Sequence, residues 1–483
     1  MTSISQGKRL LQRGDNYCWD GHYVEAQQVY QEAADIFKSK RGGKLSMHLA
    51  SAYLGIGIAY YAQHLYDEAI HIIKKSIKIL KWRPVARLSL KMASNYHFMA
   101  LALDEKHEYD KALVYFKRTI QIQQVLAPQT LKLACSYHDY GLAFRHRKNP
   151  GDYELALKYT RLAADIREKT TPSSISLAAT YDNLAYIFRE QGNPEEEIVH
   201  SLKSIEIREA TSPECPILSL RYTNLGAAYH NKGNYAQAVE YAKKAIQIQE
   251  QEDYPERLLH CLALSIHNLG AAYYGMGKMN ACIEQFWKDI RMREKLGLDL
   301  ISESYYCLGN AYHRKSWYSK AIECHEYSIY LYEQEAKDTV EIANSNLALG
   351  ITYSALRQQE KALECMKRAL AIQEKKAPDS HEMSRTCHAI GSTLHDHHDY
   401  REALCYLKKS VDIREKLDKV NPLDLSRSYY LMGRVHDGLG NYPSAVEYFQ
   451  KAIETRQECE NSGAFMHIYH SLGLAAAQCA RMK

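Results

Sequence analysis

One short string recurs through the whole chain. Its fullest copy is Gly233-Asn234-Tyr235-Ala236-Gln237-Ala238. It returns as Tyr23-Val24-Glu25-Ala26, Tyr66-Asp67-Glu68-Ala69, Tyr109-Asp110-Lys111-Ala112, Tyr153-Glu154-Leu155-Ala156, Tyr318-Ser319-Lys320-Ala321, Tyr400-Arg401-Glu402-Ala403 and Tyr442-Pro443-Ser444-Ala445. Degenerate copies place Glu197, Cys282 and Ala362 at the alanine, and successive alanine positions lie 43, 43, 44, 41, 41, 44, 39, 41, 41 and 42 residues apart. A period of this length is the mark of a repeat array, in which each unit buries its apolar face only against its neighbours. The 483 residues therefore do not have to share a single compact core, which chains of this size rarely build.

A second landmark, a small residue, usually stands twelve positions before the alanine: Gly14, Gly57, Ala100, Gly141, Ala185, Gly226, Gly270, Gly309, Gly350, Gly391 and Gly433, with Gly473 as a twelfth. Gly141 lies three residues further away because the turn Arg147-Lys148-Asn149-Pro150-Gly151-Asp152 is longer. An aromatic usually follows at plus three, as in Tyr17, Tyr60, Phe144, Phe188, Tyr229, Tyr273, Tyr312 and Tyr353. This pattern predicts helix–turn–helix units. Small residues let two helices cross closely, the aromatic fills space beside them, and turns such as Lys232-Gly233-Asn234 accept the left-handed backbone. Pro84, Pro128, Pro172, Pro213, Pro255, Pro378 and Pro422 fall between units, where proline is expected to stop the second helix.

Leu225-Gly226-Ala227-Ala228-Tyr229, followed by Gly233-Asn234-Tyr235 and Ala238, resembles the tetratricopeptide repeat family. With the tags Ile166-Arg167-Glu168, Ile207-Arg208-Glu209 and Ile413-Arg414-Glu415 it is similar to the long repeats of kinesin light chains and bacterial sensor proteins. The resemblance implies an all-α, right-handed superhelical solenoid of about eleven helix pairs over residues 1–462. A C-terminal helix at 463–483 would follow, serving as a cap or a partner contact. Such folds are defined by architecture and host many functions.

Composition narrows those functions. The formal charge of +5 is too small to argue for nucleic acid, and no stretch approaches a membrane span or a leader peptide. Twelve cysteines without any C-x-x-C pair fit buried thiols in a reducing cytoplasm better than zinc or disulfides. His395-Asp396-His397-His398-Asp399 is the best metal-like run, yet it falls at a turn and reads as one. No catalytic motif occurs, and adjacent Cys387 and His388 diverge on a helix. The expectation is a non-enzyme without metal or cofactor.

The resemblance also implies that the first helix of each pair lines a concave face, with the residues three before and four after the small position pointing inward. Eight of those 24 positions are histidine (His97, His138, His230, His267, His313, His388, His395 and His470), where 22 histidines in 483 residues predict about one. Arg145 and Arg189 join them, with Tyr274 and Tyr306. Asn224, Asn268 and Asn310 lie beside them, placed to bind an extended backbone. Imidazole and guanidinium groups suit carboxylates and phosphates, so a protein or peptide partner, acidic in character, is expected there. Protonation of this stripe predicts tighter binding as pH falls through about 6.5. The leading function is an interaction scaffold or adaptor. The runner-up is an intracellular receptor for a signalling peptide that regulates a partner through a change of superhelix shape. Phe465, Met466, Ile468, Tyr469, Leu472 and Leu474 make the last helix apolar over much of its surface, which suggests cover by a second copy or a partner.

Overall fold

The computed structural model describes residues 3–39, 46–213, 215–251, 255, 258–335, 339–417, 421–457 and 466–481. All regular structure there is helical, and the chain divides into two compact units, 1–232 and 233–483. The first unit pairs α1 (Ser3–Trp19) with α2 (Tyr23–Lys38) and α3 (Met47–Ala62) with α4 (Tyr66–Lys81). After a single turn, α5 (Pro84–Arg87), come α6 (Leu90–Glu105) with α7 (Tyr109–Leu126), α8 (Leu131–Arg147) with α9 (Asp152–Thr170), α10 (Ile175–Glu190) with α11 (Pro194–Thr211), and then α12 (Pro216–Asn231). The second unit opens with α13 (Tyr235–Gln249). It continues with α14 (Leu259–Gly275) and α15 (Met279–Leu296), α16 (Ile301–Arg314) and α17 (Tyr318–Glu335), and α18 (Val340–Ala355) and α19 (Gln359–Lys376). It closes with α20 (His381–Asp396) and α21 (Tyr400–Lys416), α22 (Pro422–Gly438) and α23 (Tyr442–Gln457), and α24 (Met466–Arg481).

Within each unit, each helix packs on the next in sequence. Within a unit, successive first helices also touch, as α3 with α6, α6 with α8, α16 with α18 and α20 with α22. The first helices thus share one face of each stack.

Local chemistry sets the boundaries. Six first helices begin with a hydroxyl cap: Ser46, Ser89, Thr130, Ser174, Thr339 and Ser380 each accept from the backbone N–H three residues on. In every pair the residue five before the alanine position is left-handed, and at Gly21, Gly151, Gly192, Gly233, Gly277 and Gly440 it is glycine. His64, His107 and His398 hold the same backbone, and each turns Nδ1 to the hydroxyl of the tyrosine two residues on, at 2.7–2.8 Å. That local bond compensates a conformation unfavourable to a side chain. Second helices ending at Ala127, Thr171, Ser212 and Ala377 leave the helical region just before a proline, as expected. Pro422 differs: it starts α22, because its fixed φ suits a first helical position.

The space opened by each small residue is filled from the second helix, four residues after the alanine. A Cβ added at Gly57, Gly270, Gly309, Gly350, Gly391 or Gly433 would strike Ile73, Phe286, His325, Met366, Leu407 or Phe449 respectively. The aromatic at plus three is therefore a neighbour of this contact and not its main occupant. At Gly473 a Cβ would meet nothing within 4 Å. By register α24 is a first helix. It buries Ile468 and Ala475 against Phe449, Ala452 and Ile453, and exposes Met466, Tyr469 and Leu474. Phe465 lies outside the described residues.

Candidate functional site

The thirteen residues read from the sequence all stand on first helices. His138 and Arg145 are on α8, Arg189 on α10, and Asn224 and His230 on α12. In the second unit His267, Asn268 and Tyr274 are on α14, Tyr306, Asn310 and His313 on α16, and His388 and His395 on α20. His395 is buried and the others half-buried. The two units meet in sequence just after His230, so five of these residues belong to one unit and eight to the other.

Several histidine rings bridge one first helix to the next. His97 lies 3.3 Å from both Asp139 and Ser136 of α8. His313 Nδ1 is 3.1 Å from Thr352 Oγ1 of α18, and His388 Nδ1 is 3.0 Å from Ser428 Oγ of α22. Burial pushes His138 and His388 down to about 4 and also lowers His313. At His267 burial opposes the charge, but hydrogen bonds to Asp289 and Cys307 outweigh it and raise the ring to about 10. His138, His267 and His388 are thus displaced from pH 6.5 in opposite directions.

The two arginines differ. Arg189 Nε donates to Glu197 Oε1 at 2.6 Å, and Glu197, the residue in place of the repeat alanine, is only 2% exposed. Burial raises the Glu197 carboxyl against the pull of Arg189. Arg145 has no carboxylate within ion-pair reach among the described residues. Its guanidinium carbon lies 4.5 Å from the Tyr186 ring centroid, and burial lowers its pKa. Nearby on α10, Asp182 takes two guanidiniums: Arg208 of α11 at 2.7 Å and Arg221 of α12 at 3.1 Å.

In the run His395-Asp396-His397-His398-Asp399 each imidazole faces its own neighbour. His395 bonds Asp396, His397 bonds Asp399 and His398 bonds Tyr400. Among the described residues no group of three metal-ligating side chains converges, and no helix is long and apolar enough to cross a membrane.

The Ile-Arg-Glu tags carry Arg167, Arg208 and Arg414. In the structure these arginines and Arg293 are 4–6% exposed, and Arg167 and Arg414 tie their second helices to the next pair. Each stands eleven residues after the alanine position, where Gln123 and Gln373 also sit buried. A polar residue repeated at fixed phase inside an apolar register was the available signal. Arg208 meets the half-buried Asp182 and Arg293 the buried Asp289, each at 2.7 Å. Arg167 instead donates to Thr180 and to the Ser176 carbonyl, and Arg414 to Ser384, Ser428 and the Asp424 carbonyl.

This frame of paired helices, small-residue crossings and left-handed turns is that of a tetratricopeptide repeat protein. Family models described as "Tetratricopeptide repeat" match residues 9–81 and 300–375, 177–213, 220–252 and 426–459. Together they span about half of the sequence, and the chain belongs to that family. Among solved structures it is similar to the apo form of the quorum sensor NprR from B. thuringiensis, at 17% identity over 76% of this chain and 99% of that one, with a TM-score of 0.51. It also matches a putative kinesin light chain with nearly identical TPR-like repeats from Podosopora anserina, at 18% identity over 44% and 99%, TM-score 0.38. Cut9 in the APC/C hetero-tetramer Cut9-Hcn1 aligns at 12% identity over 97% and 96%, TM-score 0.44. No curated protein matches the sequence.

Proposed function

We propose that the chain is a non-enzymatic interaction scaffold that holds an acidic peptide or partner segment along the first helices of its N-terminal unit. One observation carries this reading. Around α8, α10 and α12, not every guanidinium has a carboxylate of its own among the described residues. Arg145 has an aromatic ring and no counterion, and Arg208 and Arg221 share Asp182. A partly buried arginine without a carboxylate binds anions readily, since its desolvation is already met by the fold. Asn224 and His230 of α12 extend the same helix register and supply polar contacts for a peptide backbone. The equivalent residues of the second unit, Asn268, Tyr274, Tyr306, Asn310, His313, His388 and His395, offer a more neutral surface to the same or another segment.

Capture of partners by the intact chain, read by mass spectrometry, tests the proposal when repeated with Arg145→Glu. A partner lost from the variant and retained by Arg118→Glu, a change on α7, supports it. An unchanged partner list overturns it. In a receptor for a signalling peptide the same face would bind a short free peptide, and small-angle scattering would change on its addition.

A further inference from the structure

The C-terminal unit holds a second cationic site, on its own first helices and next to His388. A cavity of about 200 Å3 opens where α18, α20, α21 and α22 meet. Three arginines line it: Arg385 from α20, Arg414 from α21 and Arg427 from α22. His388 and Asp424 complete the polar wall, and Leu347 and Ile351 of α18 form the apolar one.

The charges do not cancel. Arg414 is 5% exposed and spends its donors on neutral oxygens: Ser384 Oγ at 3.3 Å, Ser428 Oγ at 2.5 Å and the Asp424 carbonyl. Arg427 Nη1 bonds the Asp424 carboxylate at 3.2 Å, and Asp424 also faces His381 at 4.0 Å. Arg385 pairs with no carboxylate among the described residues. One carboxylate thus stands against three guanidiniums. His388 adds no charge, because its Nδ1 is engaged by Ser428 and burial keeps the ring neutral.

At the matching arginines Arg208 and Arg293 the fold itself supplies an aspartate. Here the register puts His388 and Ser410, both uncharged, where those aspartates stand. One buried guanidinium and two exposed ones thus face the cavity around a single carboxylate, a formal surplus of two positive charges.

We infer that this cavity binds a phosphate monoester, whose dianion matches the surplus of two charges and whose oxygens suit the fork of an arginine. A carboxylate would leave one charge uncompensated. The volume admits a phosphate group, and the Leu347–Ile351 wall accommodates the carbon adjoining it. The source is either a phosphorylated side chain of a partner or a free phosphorylated small molecule, and the recognising chemistry is the same for both.

Calorimetric titration of the full chain with phenyl phosphate, O-phosphoserine, a neutral pentapeptide carrying phosphoserine, and benzoate tests the inference. The expected result is one site for each phosphate monoester and weaker binding of benzoate. Affinity should fall by about tenfold in each of Arg385→Gln and Arg427→Gln, which remove one charge-assisted donor apiece. These exposed or rim side chains can be changed without emptying the core, and a circular-dichroism melt confirms that the variants fold. Tighter binding of the peptide than of O-phosphoserine assigns a phosphorylated partner segment. Equal binding assigns a small free ligand. Benzoate binding as tightly as phenyl phosphate, no binding of any monoester, or affinities unaffected in both variants would overturn the inference.

Discussion

Arg208 and Arg414 occupy the same place in their helix pairs, eleven residues after the alanine position, and both are buried. Arg208 meets Asp182, whereas Arg414 meets hydroxyls and a carbonyl beside a cavity with two further arginines. The difference separates two requirements that coincide in one side chain. The scaffold does not need a charge here, since Gln123 and Gln373, and in the first pairs Phe37 and Leu80, fill the same buried place. The charge is an addition, and its effect depends on whether the fold or a ligand neutralises it.

The sharpest way to break this comparison is to remove a carboxylate from a closed site. Asp289 is fully buried and serves Arg293 Nε at 2.7 Å, His267 Nδ1 at 3.1 Å and Ser304 Oγ at 2.6 Å. Asp289→Ala leaves two buried cations without a counter-charge, for an expected loss of about 3–5 kcal/mol in chemical denaturation. A loss below about 1 kcal/mol would mean that the aspartates do not close these sites.

A third solution to a buried ionisable group is neutrality. His325 fills the contact over Gly309 that Phe286 and Phe449 make elsewhere, and neither ring nitrogen has a hydrogen-bond partner. Burial pushes it down to about 3. Its folded pKa lies below the unfolded value of about 6.5. Below that value the unfolded chain binds a proton that the folded chain refuses, so stability falls as the pH drops from 6.5 towards 3. The share of this one ring is about 2 kcal/mol between pH 7 and pH 5. His325→Phe should reduce the acid loss by that amount, read as the difference between denaturation midpoints at the two pH values. His138 and His388, pushed down to about 4, keep part of the acid sensitivity in the variant.

Glu197 sharpens the comparison from the acidic side. It replaces the repeat alanine, is held by Arg189, and has its pKa raised by burial. A raised carboxyl favours the fold below its unfolded pKa and loses that advantage as pH rises through the folded value. Glu197→Gln should therefore gain stability at pH 7 relative to pH 4, by about 1 kcal/mol or less, because the pairing with Arg189 already offsets part of the burial. Equal effects at both pH values would refute the assignment.

The fold was legible because its constraints repeat. The alanine, the small residue and the turn recur at fixed phase, and the structure places left-handed residues five before every alanine position. The contact over the small residue was not legible, since Ile73, Thr160, His325, Met366 and Phe449 share a position and no chemistry. The candidate residues could be assigned to helices by register, but their partners could not. His97 meets Asp139, His313 meets Thr352 and His388 meets Ser428, each about one repeat away in sequence. Those pairings depend on how one pair stacks on the next, which the period alone does not specify.

The smallest expected effect is also the most discriminating. Arg414→Gln installs the residue that Gln373 carries at this place one pair earlier, and it strands no carboxylate, because Asp424 keeps Arg427 at 3.2 Å. Its cost should stay below about 1 kcal/mol, within the range of a net hydrogen-bond loss. A phosphate monoester that binds only the folded chain should stabilise the unaltered protein by about 1.4 kcal/mol at ten times its dissociation constant. The Gln variant should gain much less at the same concentration. Thermal melts with and without phenyl phosphate measure both quantities on the same samples. If Arg414→Gln costs as much as Asp289→Ala, the charge belongs to the scaffold after all. If the variant gains as much from the monoester as the unaltered protein does, Arg414 lends the cavity nothing.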